Sequence, residues 1–205
     1  MGSGIECGDG WYGILDGLCD VLTSHGRQPG HPSIVATQVK EKFGDLRFYV
    51  HGNCAWCRGA IRFASAISRH VCEETGRPGV LMVRARSLKT LAEDVGHAKN
   101  YHPAAIDDDL AVEGSQKPTE DDLPSGWISI ARALRSITAD EEPLATLRFA
   151  RSENTLVVHS DSNEGWLSGE MLCAIRVAAR TNPSTGAMLI PASGDVDANG
   201  HVHSI

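Results

Sequence analysis

The sequence predicts an α+β protein assembled from two copies of one αββαβ unit, the copies packed about a pseudo-twofold axis. Three observations carry that expectation. The four tryptophans fall into two pairs, with Gly10-Trp11 and Gly126-Trp127 each opening a helical pattern. Each of those patterns is followed by a hairpin pattern that ends alike, in Val50-His51 and Val158-His159. The segments WCRGAIRFASAISRH and WLSGEMLCAIRVAAR then align without gaps at an offset of 110, Trp56 meeting Trp166 and Gly59 meeting Gly169.

The elements follow in order. In the first helix apolar residues recur at Trp11, Leu15, Leu18, Val21 and Leu22, and in its counterpart at Trp127, Ile130, Leu134 and Ile137. That spacing places one apolar stripe on a helix, to be buried against the rest of the chain. Val35, Thr37 and Val39 alternate with polar neighbours as a half-buried strand does. Gly44-Asp45 and Ser152-Glu153-Asn154 supply turn chemistry. Strands are expected near 34–40, 46–51 and 79–83, and again near 144–149, 155–159 and 187–190. The long helices are expected over about 55–73 and 165–180, and Thr75-Gly76 and Thr185-Gly186 stop the chain before the last strands. Gly59 and Gly169 fall inside those helices, where glycine costs about 1 kcal/mol relative to alanine. Their equivalent places imply a close backbone approach that a side chain would block. The tryptophans are expected in the core.

The domain organisation follows. Residues 1–100 hold the first repeat plus a short helix, 101–124 an acidic linker, and 125–205 the second repeat plus a C-terminal hairpin or tail. The linker is expected to be mostly irregular. It has few apolar residues and three prolines, and so buries little surface to offset its ordering entropy.

Composition excludes several classes. With 41% hydrophobic and 22% charged residues over 205, the chain is ordinary for a globular protein. No apolar run approaches the roughly 18–20 residues of a membrane span. The start, MGSGIECGDGW, has neither the basic region nor the apolar core of a signal peptide, and six cysteines show no disulfide framework, so a cytoplasmic location is expected. The net charge of −7 is uneven, +2 over residues 1–100 and −9 over 101–205. No basic stripe points to nucleic acid. Asp107, Asp108, Asp109, Glu120, Asp121 and Asp122 form either a solvated linker or an acidic surface for a basic partner.

Among chemical motifs, His51-Gly-Asn-Cys54-Ala-Trp-Cys57 follows a strand and opens a helix. A CxxC there reads as a dithiol whose thiolate the helix N-terminus favours, as a metal site with His51 as third ligand, or as two ordinary thiols. Zinc is the cofactor such a site would take; no other cofactor is expected. A helix over 57–72 would be about 22 Å long, so His70 and Cys72 cannot join Cys54 and Cys57 on one metal. A fourth ligand would come from elsewhere, such as His31. The C-terminal Asp195-Val-Asp197-Ala-Asn199-Gly200 matches the first half of an EF-hand loop, but the chain ends before the bidentate glutamate, and Asn199-Gly200 favours a hairpin. Phosphate loops, nucleophile elbows, zinc-protease and deaminase motifs are all missing.

Glu6-Cys7-Gly8-Asp9-Gly10-Trp11-Tyr12, Leu15, Leu18-Cys19 and the run VKEKFGDLRFY over residues 39–49 give the first half a further character. Over residues 5–100 it resembles a family of small uncharacterised phage and prophage proteins. The resemblance implies a genomic context. Many members end in a zinc-ribbon-like CxxCGxPG turn with a later Cys pair or Cys and His. Here Cys72 stands in the first ligand place, Thr75 in the second and Ala92 in a later one, leaving Cys72 and His97, so that zinc site is expected to be lost. The leading expectation is a non-enzymatic interaction module of phage or mobile-element origin, acting on a host or phage protein. The other is a thiol-redox or zinc-binding protein centred on His51, Cys54 and Cys57.

Overall fold

The computed structural model describes residues 4–31, 33–52, 54–104, 123–143 and 145–188. A turn of 3-10 helix, Asp9–Trp11, leads into α1, Tyr12–Gly26, whose stripe of Trp11, Ile14, Leu18, Val21 and Leu22 is buried. The alternating segment that follows forms β2, Val35–Lys42, and β3, Asp45–His51, an antiparallel hairpin. Its two-residue turn holds Phe43 at φ 58° and Gly44 at φ 83°, the left-handed pair whose twist matches the flanking strands. The short β1, Ile5–Glu6, adds to β2 in parallel, giving the sheet order β1-β2-β3. α2, Ala55–Ser68, follows.

The second half repeats this order. Ser125–Trp127 is a 3-10 turn, α4 spans Ile128–Glu141, β7 spans Leu147–Ser152, β8 spans Thr155–Ser160, and α5 spans Gly165–Ala178. β7 and β8 form a two-stranded antiparallel sheet. Between the halves lies a third small sheet, of order β5-β4-β6, from β4, Val80–Arg84, β5, Ser87–Leu91, and β6, His102–Pro103, with α3, Glu93–Ala98, between the last two. The described residues thus form a mixed α+β protein of five α-helices and three small sheets.

Several expectations need correction. α2 stops at Ser68, short of 73, whereas α5 runs Gly165–Ala178, close to the expected 165–180. Ser68 is fully buried, and its hydroxyl donates to Ser65 O at 2.6 Å and accepts the Leu46 N–H at 2.9 Å, tying the end of α2 to β3. The third strand of the first half is present but pairs with β5, which the sequence reading did not expect. Of the segment 101–124, expected to be mostly irregular, only the ends are described: Tyr101 is buried and His102–Pro103 pairs with Met82 and Val83. Residues 105–122 and 189–205 lie outside the described residues, and with them the C-terminal hairpin or EF-hand-like loop and most of the strand expected at 187–190. Met188 bridges Thr181.

All four long helices and both hairpins contribute to one core, which includes Trp11, Phe63, Leu134, Leu156 and Val177. A smaller cluster joins Cys72, Met82, Leu91 and Tyr101 under the third sheet. Trp11 and Trp127 are core residues, at 0% and 1% exposed, and Trp11 donates its indole N–H to Val71 O at 2.8 Å. Trp56 and Trp166 are only half-buried, and each ring serves a polar neighbour instead.

α2 and α5 cross at the two expected glycines. A Cβ on Gly59 would lie 1.8 Å from Trp166 O, and one on Gly169 would lie 2.0 Å from Trp56 O. Each glycine therefore abuts the first-turn backbone of the other helix. Other contacts also come in matched pairs. Gly10 N–H donates to Glu73 O and Gly126 N–H to Pro183 O, both at 2.8 Å. Gly76 N–H donates to Cys72 O at 3.0 Å and Gly186 N–H to Asn182 O at 2.9 Å. Val71 bridges Pro78 as Thr181 bridges Met188. Among the described residues no helix is long and apolar enough to cross a membrane.

Candidate functional site

Cys54 is the N-cap of α2. Its extended backbone, φ −131° and ψ 172°, turns the side chain back over the first turn, where Sγ accepts the Cys57 N–H at 3.4 Å. This occupies one of the donors that a helix start leaves without a backbone partner. One turn on, Cys57 is fully buried, and its Sγ lies 3.1 Å from that of Cys54. The CxxC spacing is what brings the pair together, because residues three apart share a helix face.

The third member is His25, from the last turn of α1. Its Nε2 lies 3.3 Å from Cys54 Sγ, and the nitrogen and both sulfurs all fall within 4.8 Å of one another. The imidazole is 6% exposed. It stacks flat on the Trp56 indole, with centroids 4.0 Å apart and planes at 7°, and the His31 ring tilts against it at 4.1 Å. Burial, then the neighbouring His31, pushes His25 below the usual histidine range, which keeps the ring in the neutral, ligand-competent form at pH 7. Burial and the hydrogen bond with Cys54 raise the Cys57 thiol to about 11, so without a cation there it holds its proton.

The expected His51 is not in this cluster. It sits exposed at the end of β3, and His159 is likewise exposed at the end of β8. Its strand ends before the Cys54 cap, whereas α1 packs directly along α2. The signal for His25 was present, since it continues the buried stripe of α1 at three and four residues beyond Leu22 and Val21. Cys72 is fully buried beside Met82 and Leu91, with its backbone closing the 72–77 turn, and His97 is exposed on α3. Asp107, Asp108, Asp109, Glu120, Asp121 and Asp122 lie outside the described residues. In the second half Glu164 and Leu167 stand where Cys54 and Cys57 do in the first.

A second titratable group lies across the α2–α5 crossing. Glu170 is fully buried. Its Oε1 has no hydrogen bond and faces Arg62 Nε at 3.6 Å, and its Oε2 meets the Thr138 hydroxyl at 3.4 Å. Burial raises its carboxyl to about 7, against the opposing pull of Arg62. Arg62 also pairs with Glu141 at 2.6 Å, donates to Ile137 O and lies over the Trp166 ring. Its guanidinium is therefore a staple between the halves.

Comparison of the chain with protein-family models, curated proteins and solved structures finds no match.

Proposed function

We propose that the protein binds a thiophilic divalent cation, zinc by class, through His25, Cys54 and Cys57, and that this centre ties α1 to the start of α2. The observation that carries the reading is the arrival of His25 Nε2, from a separate helix, within 4.8 Å of both sulfurs. A tetrahedral zinc with Zn–S of about 2.3 Å and Zn–N of about 2.0 Å holds its sulfurs about 3.8 Å apart and sulfur and nitrogen about 3.5 Å apart. The present 3.1 and 3.3 Å reach those spacings with small side-chain rotations. The fourth place falls to water, an incoming ligand or His31.

The competing reading is a redox dithiol. It is favoured by the position of the CxxC at a helix N-terminus, and its sulfurs would need to close by about 1 Å to form a disulfide. A dithiol has no need of an imidazole converging on both sulfurs, and for that reason the metal reading is preferred.

Around this centre we infer a duplicated αββαβ chain with a pseudo-twofold axis through the α2–α5 crossing. The reciprocal glycine contacts and the paired turns at an offset of 110 support it. The duplicated fold would act as a non-enzymatic interaction module of phage or mobile-element origin, meeting a host or phage protein, as the resemblance of the first half suggests.

Metal analysis of untagged protein tests the centre. About one zinc per chain is expected, falling below about a tenth of an equivalent in Cys54→Ser or Cys57→Ser. A metal-free wild type carrying a reducible disulfide would replace this reading with the redox one.

A further inference from the structure

A groove of about 650 Å³ lies on the opposite side of α2 from the core, walled by β3, α2 and the end of α4. Its β3 wall is unusual in being lined by five consecutive residues, 46–50. Alternate side chains of a strand point to opposite faces, so a cavity sees an unbroken run only when it lies along the strand's edge. β3 is the edge of the β1-β2-β3 sheet. The hairpin register closes the turn with Lys42 opposite Asp45 and pairs Lys40 with Arg47 and Gln38 with Tyr49. Those residues bond inward to β2, which turns the N–H and C=O groups of Leu46, Phe48 and Val50 outward. The end of α2 covers the first of them, since Ser68 Oγ takes the Leu46 N–H. At Phe48, 9% exposed, and Val50, half-buried, no backbone hydrogen bond reaches the edge from outside the hairpin among the described residues.

The facing wall is a single helical stripe of α2, Arg58, Ile61, Arg62, Ser65 and Arg69. With Arg47 on β3, four guanidinium groups line the groove, against one lining carboxylate, Asp140. Arg62 is committed to Glu141 and Glu170. Arg47 and Arg69 share the single buried carboxylate of Asp45, which leaves that trio with one net positive charge. Arg58 is exposed and has no ion pair among the described residues. With Asp140 counted against Arg58 and the trio, the groove sets the β3 edge beside an excess of one positive charge, spread over Arg47, Arg58 and Arg69.

We propose that this groove takes an extended acidic peptide, which adds as a fourth strand to β3 at Phe48 and Val50 and sets its carboxylates against Arg58, Arg47 and Arg69. Main-chain pairing would supply register and affinity, and the arginines, through bidentate contacts, the preference for acid. The cysteine–histidine centre plays no part in this surface, so the two stand or fall separately.

The probe is a labelled peptide of alternating glutamate and valine, about eight residues long so that it overlaps the edge fully. It is titrated against the full chain by fluorescence anisotropy and by amide exchange. Saturable binding is expected, with new protection at Phe48 and Val50 and none at Arg47 or Tyr49, whose amides already bond to β2. Arg58→Glu, a surface change, should weaken binding about tenfold or more, the size of one charge-assisted contact. Three results would overturn the proposal: a lysine–valine peptide binding as tightly, a peptide N-methylated at alternate residues binding undiminished, or protection at Phe48 and Val50 arising from self-association without peptide.

Discussion

Alanine at Gly59 sets two known effects against each other at one position. In an exposed helix the change would stabilise the chain by about 1 kcal/mol, the propensity difference between the residues. Here the new Cβ would stand 1.8 Å from Trp166 O and 2.7 Å from Trp166 C, and a real Cβ essentially never comes nearer than 3.0 Å. The atoms in the way are backbone, so no side chain can swing aside. α2 and α5 must separate locally by at least 1.2 Å, the difference between those two distances. A gap of about 0.5–1 Å already forfeits a quarter to a half of a contact's dispersion energy. The residues that lose it, Ala60, Ala64, Ala174 and Val177, are fully buried. Overpacking costs about 1–3 kcal/mol, and a backbone clash belongs at the upper end. After subtracting the propensity gain, Gly59→Ala should lose about 2 kcal/mol, or about 4–8 °C in Tm for a chain of this size. Gly169→Ala, 2.0 Å from Trp56 O, should lose a similar amount. The double variant should lose clearly less than the sum, because one separation of the helices relieves both clashes. Gly165→Ala is the control: nothing lies within 4 Å of its Cβ, and a small gain is expected. Urea unfolding of the four variants decides the matter. A Gly59→Ala chain as stable as the Gly165→Ala one would refute the close crossing.

Three further outcomes are expected. Glu170 carries a folded-state pKa of about 7, above that of an unfolded carboxyl, so the folded chain holds a proton that the unfolded chain releases. Its contribution to stability is thus fully present below about pH 4.5 and is lost as pH rises through 7, on the order of 3 kcal/mol in all. Glu170→Gln should flatten that slope in urea melts at pH 5 and pH 8, and an unchanged slope would contradict it. Phe43 is 61% exposed at φ 58°, a conformation costing a non-glycine residue about 1 kcal/mol, so Phe43→Asn should raise the unfolding free energy read from urea melts by up to about 1 kcal/mol. A chelator should lower the Tm of the wild type and leave that of Cys57→Ser unmoved; equal shifts in both would place the metal elsewhere.

Much of the fold could be read from spacing alone. The stripes of α1 and α4, both hairpins, and the glycines at 59 and 169 rest on local periodicity, and local periodicity survives folding. What escaped was set by contacts distant in sequence. β5 alternates only weakly over Ser87–Leu91, and its meaning comes from pairing with β4. The length of α2 was overestimated because nothing before residue 73 breaks a helix, whereas Ser68 is held by Leu46, 22 positions away. At the site the two cysteines were legible from their spacing. The histidine was not, because proximity in sequence favoured His51 over a residue 29 positions from Cys54. A polar residue falling on a buried stripe, as His25 does, was the overlooked sign.

The α2–α5 crossing has one more consequence. Gly59 rests on the backbone of Trp166, and Gly169 on that of Trp56, so the patch formed by Trp56 and Gly59 is nearly complementary to itself. A surface of that kind closes with its own copy under a twofold rotation, the isologous rule of symmetric dimers. A single unit bearing this patch would be able to close on a second copy of itself in the same way. In the present chain the two ends of the crossing differ: Cys54 and Cys57 stand at one, Glu164 and Leu167 at the other.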